Sequence, residues 1–442
     1  MRITALIHLF PPEHCAGSET TLHAALRALS NRGHHVRVIC ANSKTAPYEI
    51  DGISVVRPPR RGLDTWLQEY VRGSDLLVTH LDLTNQAMAL VMVMKIPLVH
   101  FVHNDAQLMC WRVDARVPYK NSLAVYNSYW LAAKPSSYYG QDMPQEWLAP
   151  SIVVHPVVEK EHYECERGTK ITLVNPTPGK GVETFKALAR LMPNREFLAV
   201  EGGYGEQMIV APDGPVKHGQ MRAAGNIEWM AHTPDIRNVF RKTKVLLMPS
   251  DYESFGRVGI EAACCGIPTV AHPTVGLKEA FGDVAGIFID RNEIAAWFNE
   301  VERLMSDDIY YYERSQKVLE LARAIEPEKE FDRLEQAFLK TVERWKDREN
   351  SNVKMWTSDR WIYRMPDGSY KAVDNPGRIP PGAVTQIAGR GTQLPESLAR
   401  ENGWIGPDSQ AKALEAPEEN KALSAPQETK TRGRKKSEEV AA

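Results

Sequence analysis

Short apolar runs alternate with amphipathic segments through the first 320 residues of the chain. The apolar runs lack a strict alternation of apolar and polar positions, which is typical of strands buried on both faces of a parallel sheet. Between the first two runs, residues 18–30 carry leucines on one helical face, and Gly33 follows where that helix should end. The strands predicted in this part of the chain are 3–10, 35–40, 76–80, 98–103 and 123–127.

A second series of the same kind begins near residue 160. Repetition of strand and helix in this order predicts a parallel sheet covered by helices. We therefore expect an α/β protein with two Rossmann-like, doubly wound domains and a small C-terminal extension. The strands predicted in the second series are 171–175, 196–200, 227–229, 245–249, 269–271 and 286–290, and its helices are 182–192, 234–243 and 256–265.

The composition of the chain changes after residue 345. Residues 328–345 repeat apolar side chains every three or four positions, so they predict an amphipathic helix that packs on the main body. After the polar linker 346–352, we expect a hairpin of strands 361–364 and 370–373 and one short helix within 395–404. The expected division is 1–158 and 159–326 for the two domains, 327–346 for the closing helix, 353–405 for the extension and 406–442 for a disordered tail.

Composition and charge limit the classes of partner. The 442 residues suffice for two or three domains, and the net charge of −2 gives no electrostatic reason to expect nucleic acid as the main partner. The most apolar later stretch, 87–102, is interrupted by Lys95 and Pro97, so we predict no membrane-spanning helix and leave peripheral membrane contact open. The six scattered cysteines have no metal-ligand spacing, which favours a reducing, cytoplasmic location.

The stretch 249–263, PSDYESFGRVGIEAA, predicts a strand end, a tight loop and the start of a helix. Ser254 is expected to cap this helix, which leaves the first amides as unpaired donors at its positive end. Such an end binds phosphate groups, so the loop predicts a diphosphate site. Glu253 and Glu261 would lie on the order of 10 Å apart, a span that suits one carboxylate on a sugar and one on a ribose. The other residues expected to contact the ligand are Phe255, Gly256, Arg257 and Val258.

Two glutamates eight residues apart would, taken alone, be a solvated helix face in most proteins. In this setting the arrangement resembles the signature of the family 4 glycosyltransferases (glycosyl transferases group 1), which have the GT-B fold, and the resemblance extends over residues 1–345. It implies that Glu253 contacts hydroxyls of a donor sugar and that Glu261 contacts the ribose of its nucleotide. It also implies that domain 1–158 lies on the acceptor side and that domain 159–326 binds the nucleotide sugar.

Residues 175–181, NPTPGKG, end a strand and open a helix. Gly181 would let the backbone approach a phosphate, and Lys180 supplies a positive charge. The segment resembles the family's lysine and glycine loop, which implies that Lys180 neutralises the leaving diphosphate, with an ordinary exposed lysine as the alternative. The family usually has an arginine five or six residues before this lysine, where the chain has Val174 and Asn175. Two alternatives stay open: the diphosphate is stabilised less than in the family, or another cation takes part, for which Arg257 is the candidate.

Two further segments follow predicted strands at the sheet edge where open α/β folds bind ligands. His103 ends one strand, and the resemblance implies that it contacts the donor sugar, whereas a structural role is the alternative and suits His100 better. Gly17 lies in a loop that resembles the family's glycine-bearing loop facing donor and acceptor, with an ordinary turn as the alternative. His103, Glu253 and Lys180 are therefore the expected catalytic residues.

The sequence shows neither the glycine pattern of a nicotinamide dinucleotide site after its first strand nor a P-loop, and it has no Asp-x-Asp loop for a divalent ion. We therefore expect no cofactor and no metal, with a nucleotide diphosphate sugar as the donor substrate. The resemblance implies retaining transfer of a hexose to a hydroxyl of a glycan, lipid or protein acceptor. Two alternatives stay open: a nucleotide-sugar epimerase of the same fold, and a catalytically weak sugar-nucleotide-binding protein.

Overall fold

The computed structural model describes residues 1–59, 63–105, 122–138 and 150–350 of the chain. It also describes short pieces of the C-terminal part, namely 355–357, 360–365, 369–374, 380–381, 385–388, 393–395, 399–400 and 404. The expected disordered tail 406–442 lies outside these residues, as does most of the segment 395–404 in which a short helix is expected.

An eight-stranded sheet forms the centre of the N-terminal domain. Its strands are β1 (Arg2–Ile7), β2 (His35–Cys40), β3 (Tyr48–Ile50), β4 (Ile53–Val56), β5 (Leu76–His80), β6 (Leu98–Val102), β7 (Ser122–Tyr126) and β8 (Ser151–Val153). They lie in the order β3-β4-β2-β1-β5-β6-β7-β8, and all neighbours are parallel except β3 and β4. The helices of this domain are α1 (Gly17–Asn31), α2 (Leu63–Val71), α3 (Thr84–Met94) and α4 (Tyr129–Tyr138).

A six-stranded parallel sheet forms the centre of the second domain. Its strands are β9 (Lys170–Val174), β10 (Phe197–Val200), β13 (Ile227–Met230), β14 (Thr243–Met248), β15 (Thr269–Ala271) and β16 (Ile287–Phe288). They lie in the order β13-β10-β9-β14-β15-β16, and a separate parallel pair consists of β11 (Ile209–Val210) and β12 (Met221–Arg222). The helices are α5 (Lys160–Tyr163), α6 (Val182–Leu191), α7 (Arg237–Phe240), α8 (Arg257–Cys264), α9 (Val275–Ala285), α10 (Ile294–Ser306) and α11 (Asp308–Ala324).

Central strands of both sheets are buried along their whole length. Every residue of β5, β6 and β7 in the first sheet, and of β10 and β15 in the second, is buried. Helices cover both faces, which explains why these runs are mostly apolar and do not alternate strictly between apolar and polar positions. The expected fold class, two Rossmann-like doubly wound domains, is confirmed.

The long helix α12 (Pro327–Asn350) follows the second domain but packs on the first. Leu334, Phe338 and Val342 are buried in the core of the N-terminal domain, and the ring of Phe338 meets that of Phe101 edge-on at 6.4 Å between centroids. The helix therefore ties the end of the second domain to the first. The helix continues through residues 346–350, where the sequence predicted a linker. The last turns of a helix can be polar on all sides when the preceding turns are packed against a core.

The C-terminal extension contains two small antiparallel sheets. Strands β18 (Trp361–Arg364) and β19 (Tyr370–Val373) pair as the predicted hairpin, and β20 (Thr385–Ala388) pairs with the other side of β18. A second pair consists of β17 (Met355–Thr357) and β21 (Gln393–Pro395). Within the part of the chain that the structure describes, no helix combines the length and apolar character needed to cross a membrane.

The helix expected over residues 234–243 is much shorter in the structure, where α7 covers four residues. Local side-chain bonds explain the difference. The Asp235 amide donates to the Thr233 hydroxyl at 3.3 Å, and the Asp235 carboxylate accepts from the Arg237 amide at 3.0 Å. Such bonds compete with the helical backbone pattern and form a turn before the helix begins.

Candidate active site

The cleft between the two domains contains two adjoining cavities of about 230 and 500 Å³. Their walls come from the carboxyl ends of strands in both sheets, where open α/β folds hold their ligands. Most of the residues singled out from the sequence lie here. Both cavities are lined by Gly17, Lys180, Glu253, Gly256 and Arg257; the first also by Val258 and Glu261, and the second by His103, Ser254 and Phe255.

The loop between β14 and α8 brings the start of a helix to the cleft. Gly256 has a φ of +90°, and a Cβ at this position would lie 2.3 Å from Cδ2 of Leu277, so glycine is required here. Helix α8 begins directly after it, at Arg257. In the first turn the Gly259 amide donates to the Gly256 carbonyl oxygen at 3.0 Å, and the amides of Arg257 and Val258, which precede it, form a positive end at the wall of the cavity.

Ser254 does not cap α8, so this prediction is wrong. The N-cap is Gly256, and no side chain caps it. The Ser254 hydroxyl instead accepts a hydrogen bond of 2.8 Å from the amide nitrogen of Asn127, in the N-terminal domain. Because glycine turns the chain in the left-handed region just before the helix, a serine two residues earlier is not in position to reach the first-turn amides.

Lys180 and Glu253 form an ion pair at the junction of the two cavities. The Ser250 hydroxyl donates to the same glutamate oxygen at 2.9 Å. Burial disfavours the charge of Lys180, but Glu253 and Tyr204 outweigh it and raise the pKa of Lys180 above its usual range. The lysine therefore stays positively charged in the cleft at any physiological pH.

Gly181 holds the lysine loop against the neighbouring loop but does not line either cavity. Its φ is +79°, and a Cβ would lie 2.4 Å from the carbonyl oxygen of Pro249. The close approach of the two backbones needs glycine, and it places Lys180 beside Glu253. The predicted contact of Gly181 with a ligand stays untested.

Glu261 and Arg257 form a second, buried ion pair on α8, with 2.7 Å between Oε1 and Nε. The same guanidinium donates to the carbonyl oxygen of Val157 at 2.9 Å and to the hydroxyl of Tyr163 at 2.6 Å. Most donors of Arg257 are thus used by the protein, where they fix the segment that joins the two domains. This leaves Lys180 and the α8 amides as the main groups available for a diphosphate.

His103 lies immediately after β6 at the wall of the larger cavity and is 8% exposed. Burial lowers the pKa of His103 to about 4, so its imidazole is neutral at neutral pH. A neutral imidazole can donate or accept one hydrogen bond from a sugar hydroxyl. His100 lies inside strand β6 and is buried. It shares a 3.1 Å hydrogen bond with the Thr84 hydroxyl, which gives it a structural role.

The structure adds residues that sequence reasoning missed. His14, Asn127 and Tyr252 line the larger cavity, and Tyr252 accepts a hydrogen bond of 3.1 Å from the backbone amide of Asp105 across the cleft. Gly203 and Tyr204 also line both cavities, and the sequence does indicate them: they belong to the segment 201–206, EGGYGE, which follows a predicted strand and is a candidate for the base side of a nucleotide, with a plain loop as the alternative. Asn127 could have been found from its place directly after β7, at the same sheet edge as His103. His14 and Tyr252 lie in the two loops around Gly17 and Glu253 that the sequence indicated, but nothing in the sequence distinguished these two side chains from their neighbours.

A carboxylate from the second domain also holds the N-terminal end of α4 in the first. Glu279 on α9 accepts from the amide of Tyr129 at 2.6 Å and from that of Trp130 at 2.9 Å, and it pairs with His155 at 2.8 Å. A negative charge is favourable at this position, where helix amides are unpaired. The contact joins the two domains on one side of the cleft.

Family models match both domains of the chain. The model described as Glycosyltransferase Family 4 matches residues 16–139, and the model described as Glycosyl transferases group 1 matches residues 219–324. The chain belongs to this GT-B glycosyltransferase family. Among curated relatives, D-inositol 3-phosphate glycosyltransferase from Mycobacterium tuberculosis is 30% identical over 126 residues. That match covers 27% of this chain and 26% of the relative, so the chain matches about a quarter of the length of these relatives.

Solved GT-B structures share the arrangement of the two domains at low sequence identity. Sucrose-phosphate synthase from Thermosynechococcus elongatus has a TM-score of 0.59 and 15% identity, and the match covers 77% of this chain and 99% of that one. An alpha-glucosyltransferase in complex with UDP and a 13-mer DNA has a TM-score of 0.56 and 12% identity, with coverage of 77% and 99%. At these identities the likeness establishes the fold.

Proposed function

We propose that this protein transfers a hexose from a nucleotide diphosphate sugar to a hydroxyl of an acceptor, with retention at the anomeric carbon and without a bound metal or cofactor. One observation carries the proposal. In the cleft between two Rossmann-like domains, the Lys180 and Glu253 side chains meet beside the open N-terminal end of α8. A cation and helix amides suit a diphosphate, and a carboxylate suits sugar hydroxyls.

The proposed reaction places negative charge on the departing diphosphate. The bond between the anomeric carbon and the phosphate oxygen breaks, and its electron pair goes to the diphosphate. The acceptor oxygen forms the new bond on the same face, and its proton passes to the departing phosphate. Lys180 and the amides at the start of α8 stabilise the charge that develops on the diphosphate. Fixed charges and dipoles accelerate a reaction most when they stabilise charge that appears only in the transition state.

The remaining site residues position the donor in this proposal. Glu253 accepts hydrogen bonds from hydroxyls of the hexose, and Glu261 from the ribose. His103, neutral at physiological pH, contacts a further sugar hydroxyl as a hydrogen-bonding group. Gly17, which starts α1 with open space around it, lets donor and acceptor approach the backbone on the side of the N-terminal domain.

A donor-consumption assay tests the proposal. UDP-, GDP- and ADP-hexoses are first screened for thermal stabilisation, because a ligand at a hundredfold excess over its Kd adds about 2.7 kcal/mol. Lys180→Ala and Glu253→Ala should each lower turnover at least about tenfold. Wild-type rates from both variants would refute the assigned roles. The anomeric configuration of the product, measured by proton NMR, tests retention.

The fold does not identify the acceptor, so a panel of candidate acceptors is tested with the preferred donor. Inositol phosphates, glycans, lipids and DNA are suitable members, since relatives and structural neighbours are named for an inositol phosphate and a DNA complex. Isomerised nucleotide sugar in the absence of any acceptor would instead favour an epimerase. Tight donor binding without turnover across the panel would favour a binding protein, a reading that the neutral Asn175 before Lys180 supports.

A further inference from the structure

Asn175 has an unusual backbone conformation at the wall of the smaller cavity. It follows β9 directly, its φ is +61°, and it is 4% exposed. Few side chains other than Asn, Asp and Gly adopt this left-handed region readily. Asn175 lines the same cavity as Lys180, which lies five residues later on the same loop.

A chain of hydrogen bonds fixes the orientation of the Asn175 amide. The backbone N–H of Gly202 donates to Oε1 of Gln207 at 3.0 Å, and a backbone N–H can only donate. The other end of the Gln207 amide is therefore its NH₂ group, which donates to Oδ1 of Asn175 at 2.7 Å. The Asn175 oxygen is thus satisfied, and the nitrogen Nδ2 is the end that remains.

The nitrogen of Asn175 is buried and has no acceptor among the residues that the structure describes. A buried donor without an acceptor is destabilising, so its retention beside a cavity points to an acceptor that arrives with a ligand. The packing is built around this side chain. A Cβ on Gly202 would lie 2.2 Å from Cγ of Asn175, so glycine at that position makes room for the amide.

We infer that Nδ2 of Asn175 donates a hydrogen bond to a phosphate oxygen of a nucleoside diphosphate. The inference rests on the proposed function, and it assigns Asn175 the role of a phosphate-binding residue within it. An NH₂ group offers donors and no acceptor, and the oxygens of a phosphate are the strongest acceptors that a nucleotide carries. Because Glu253 already balances the charge of Lys180, the neutral Asn175 amide adds a donor to the lysine and the α8 amides that hold the diphosphate.

Two substitutions separate this role from a structural one. Asn175→Asp keeps the shape, the backbone conformation and an oxygen for Gln207, but it replaces the donor by a carboxylate that repels phosphate. Asn175→Gly also suits a positive φ and removes the side chain altogether. A purely structural role predicts that the isosteric aspartate is the milder change. Contact with phosphate predicts the opposite order.

The experiment compares wild type and both variants by calorimetric titration with uridine, UMP and UDP, and with the same guanosine and adenosine series. For the best nucleoside diphosphate, the Kd should rise about tenfold in Asn175→Gly, as for the loss of one hydrogen bond to a charged group, and further in Asn175→Asp. The Kd of the matching nucleoside should change less than about twofold.

Three results would overturn the inference. The first is tighter diphosphate binding by Asn175→Asp than by Asn175→Gly, and the second is an equal loss of nucleoside and diphosphate affinity. The third is unchanged diphosphate affinity in both variants, which leaves the proposed function intact. A wild-type protein that binds none of the nine probes would instead refute the proposed function, and this inference with it.

Discussion

Mild acid should destabilise the N-terminal domain selectively, because three histidines are buried there beside one another. His80, His100 and His103 are 0%, 1% and 8% exposed, and the rings of His80 and His103 meet edge-on at 5.3 Å between centroids. Burial lowers the pKa of His100 to about 3 and that of His103 to about 4, and it lowers the pKa of His80 well below its usual value. All three are therefore neutral in the folded protein at pH 5.

The expected loss of stability follows from the difference between folded and unfolded pKa values. An unfolded histidine titrates near pH 6.5, so between that pH and the folded pKa the unfolded chain binds a proton that the folded chain does not. Stability is thus complete above about pH 6.5 and is lost as the pH falls towards about 4. At pH 5 the loss is about 2 kcal/mol for each of His100 and His103, or about 4 kcal/mol together. This is a large part of the 5–15 kcal/mol typical of a domain.

Hydrogen exchange measured by mass spectrometry at pH 7 and pH 5, corrected for intrinsic rates, checks the prediction for each sheet separately. Peptides from β5 and β6 should lose up to about three orders of magnitude of protection, while those from β9 and β14 should change little. His80→Leu should reduce this pH dependence, because it removes one buried imidazole, whereas His218→Gln, at an exposed site, should not. Equal losses in both sheets, or no loss in the first, would show that the reasoning is wrong.

Three further substitutions test the packing around the cleft. Gly256→Ala forces a methyl group against Leu277 at a positive φ, so it should lower the melting temperature and weaken nucleoside diphosphate binding at least about tenfold; unchanged binding would contradict the role of the α8 amides. Glu279→Ala removes the carboxylate that holds α4 to α9, and small-angle X-ray scattering should show a larger radius of gyration at unchanged circular dichroism; an unchanged radius would refute the contact. Phe338→Ala should cost about 3–5 kcal/mol, and hydrogen exchange should locate the loss in the N-terminal domain rather than in the second.

The two-domain fold could be predicted because buried parallel strands appear in the sequence as short, mostly apolar segments. The runs that form β5, β6 and β14 are mostly apolar without strict alternation, and each is followed within two residues by a polar side chain where the strand meets the cleft. The loops that carry Lys180 and Glu253 could be located for the same reason. Strand ends in a parallel sheet share one edge, so residues far apart in sequence come together there.

The short hairpin of β3 and β4 escaped the sequence analysis although its signal is present. Asp51 and Gly52 connect the strands, with φ values of +49° and +73°. An Asp-Gly pair with both residues in the left-handed region is typical of a two-residue hairpin turn. The strands are three and four residues long, and only part of their side chains is buried, so periodicity alone does not reveal them.

The partners of individual polar side chains could not be predicted, because they depend on contacts between the domains. Ser254 has the residue type of a helix cap, yet Asn127, 127 residues earlier, donates to its hydroxyl. Arg257 has the charge expected of a phosphate ligand, but it is held by Glu261, Val157 and Tyr163. For Ser254 the left-handed turn at Gly256 moves the start of the helix, so the expected cap was wrong; for Arg257 partners distant in sequence determined the outcome.

Several hydrogen bonds cross the cleft, beside ring contacts such as that of Trp130 with Tyr252, and their strength affects how readily a donor can enter. Asn127 bonds to Ser254, the Asp105 amide bonds to Tyr252, and Glu279 accepts two helix amides. Each such bond contributes about 1 kcal/mol net, since water replaces the partner when the domains separate. Opening therefore costs on the order of a few kcal/mol, which corresponds to an open population of roughly 0.1–10%. A donor that bridges Lys180 and the N-terminal domain adds contacts found only in the closed form, so its binding should shift this equilibrium further towards closure.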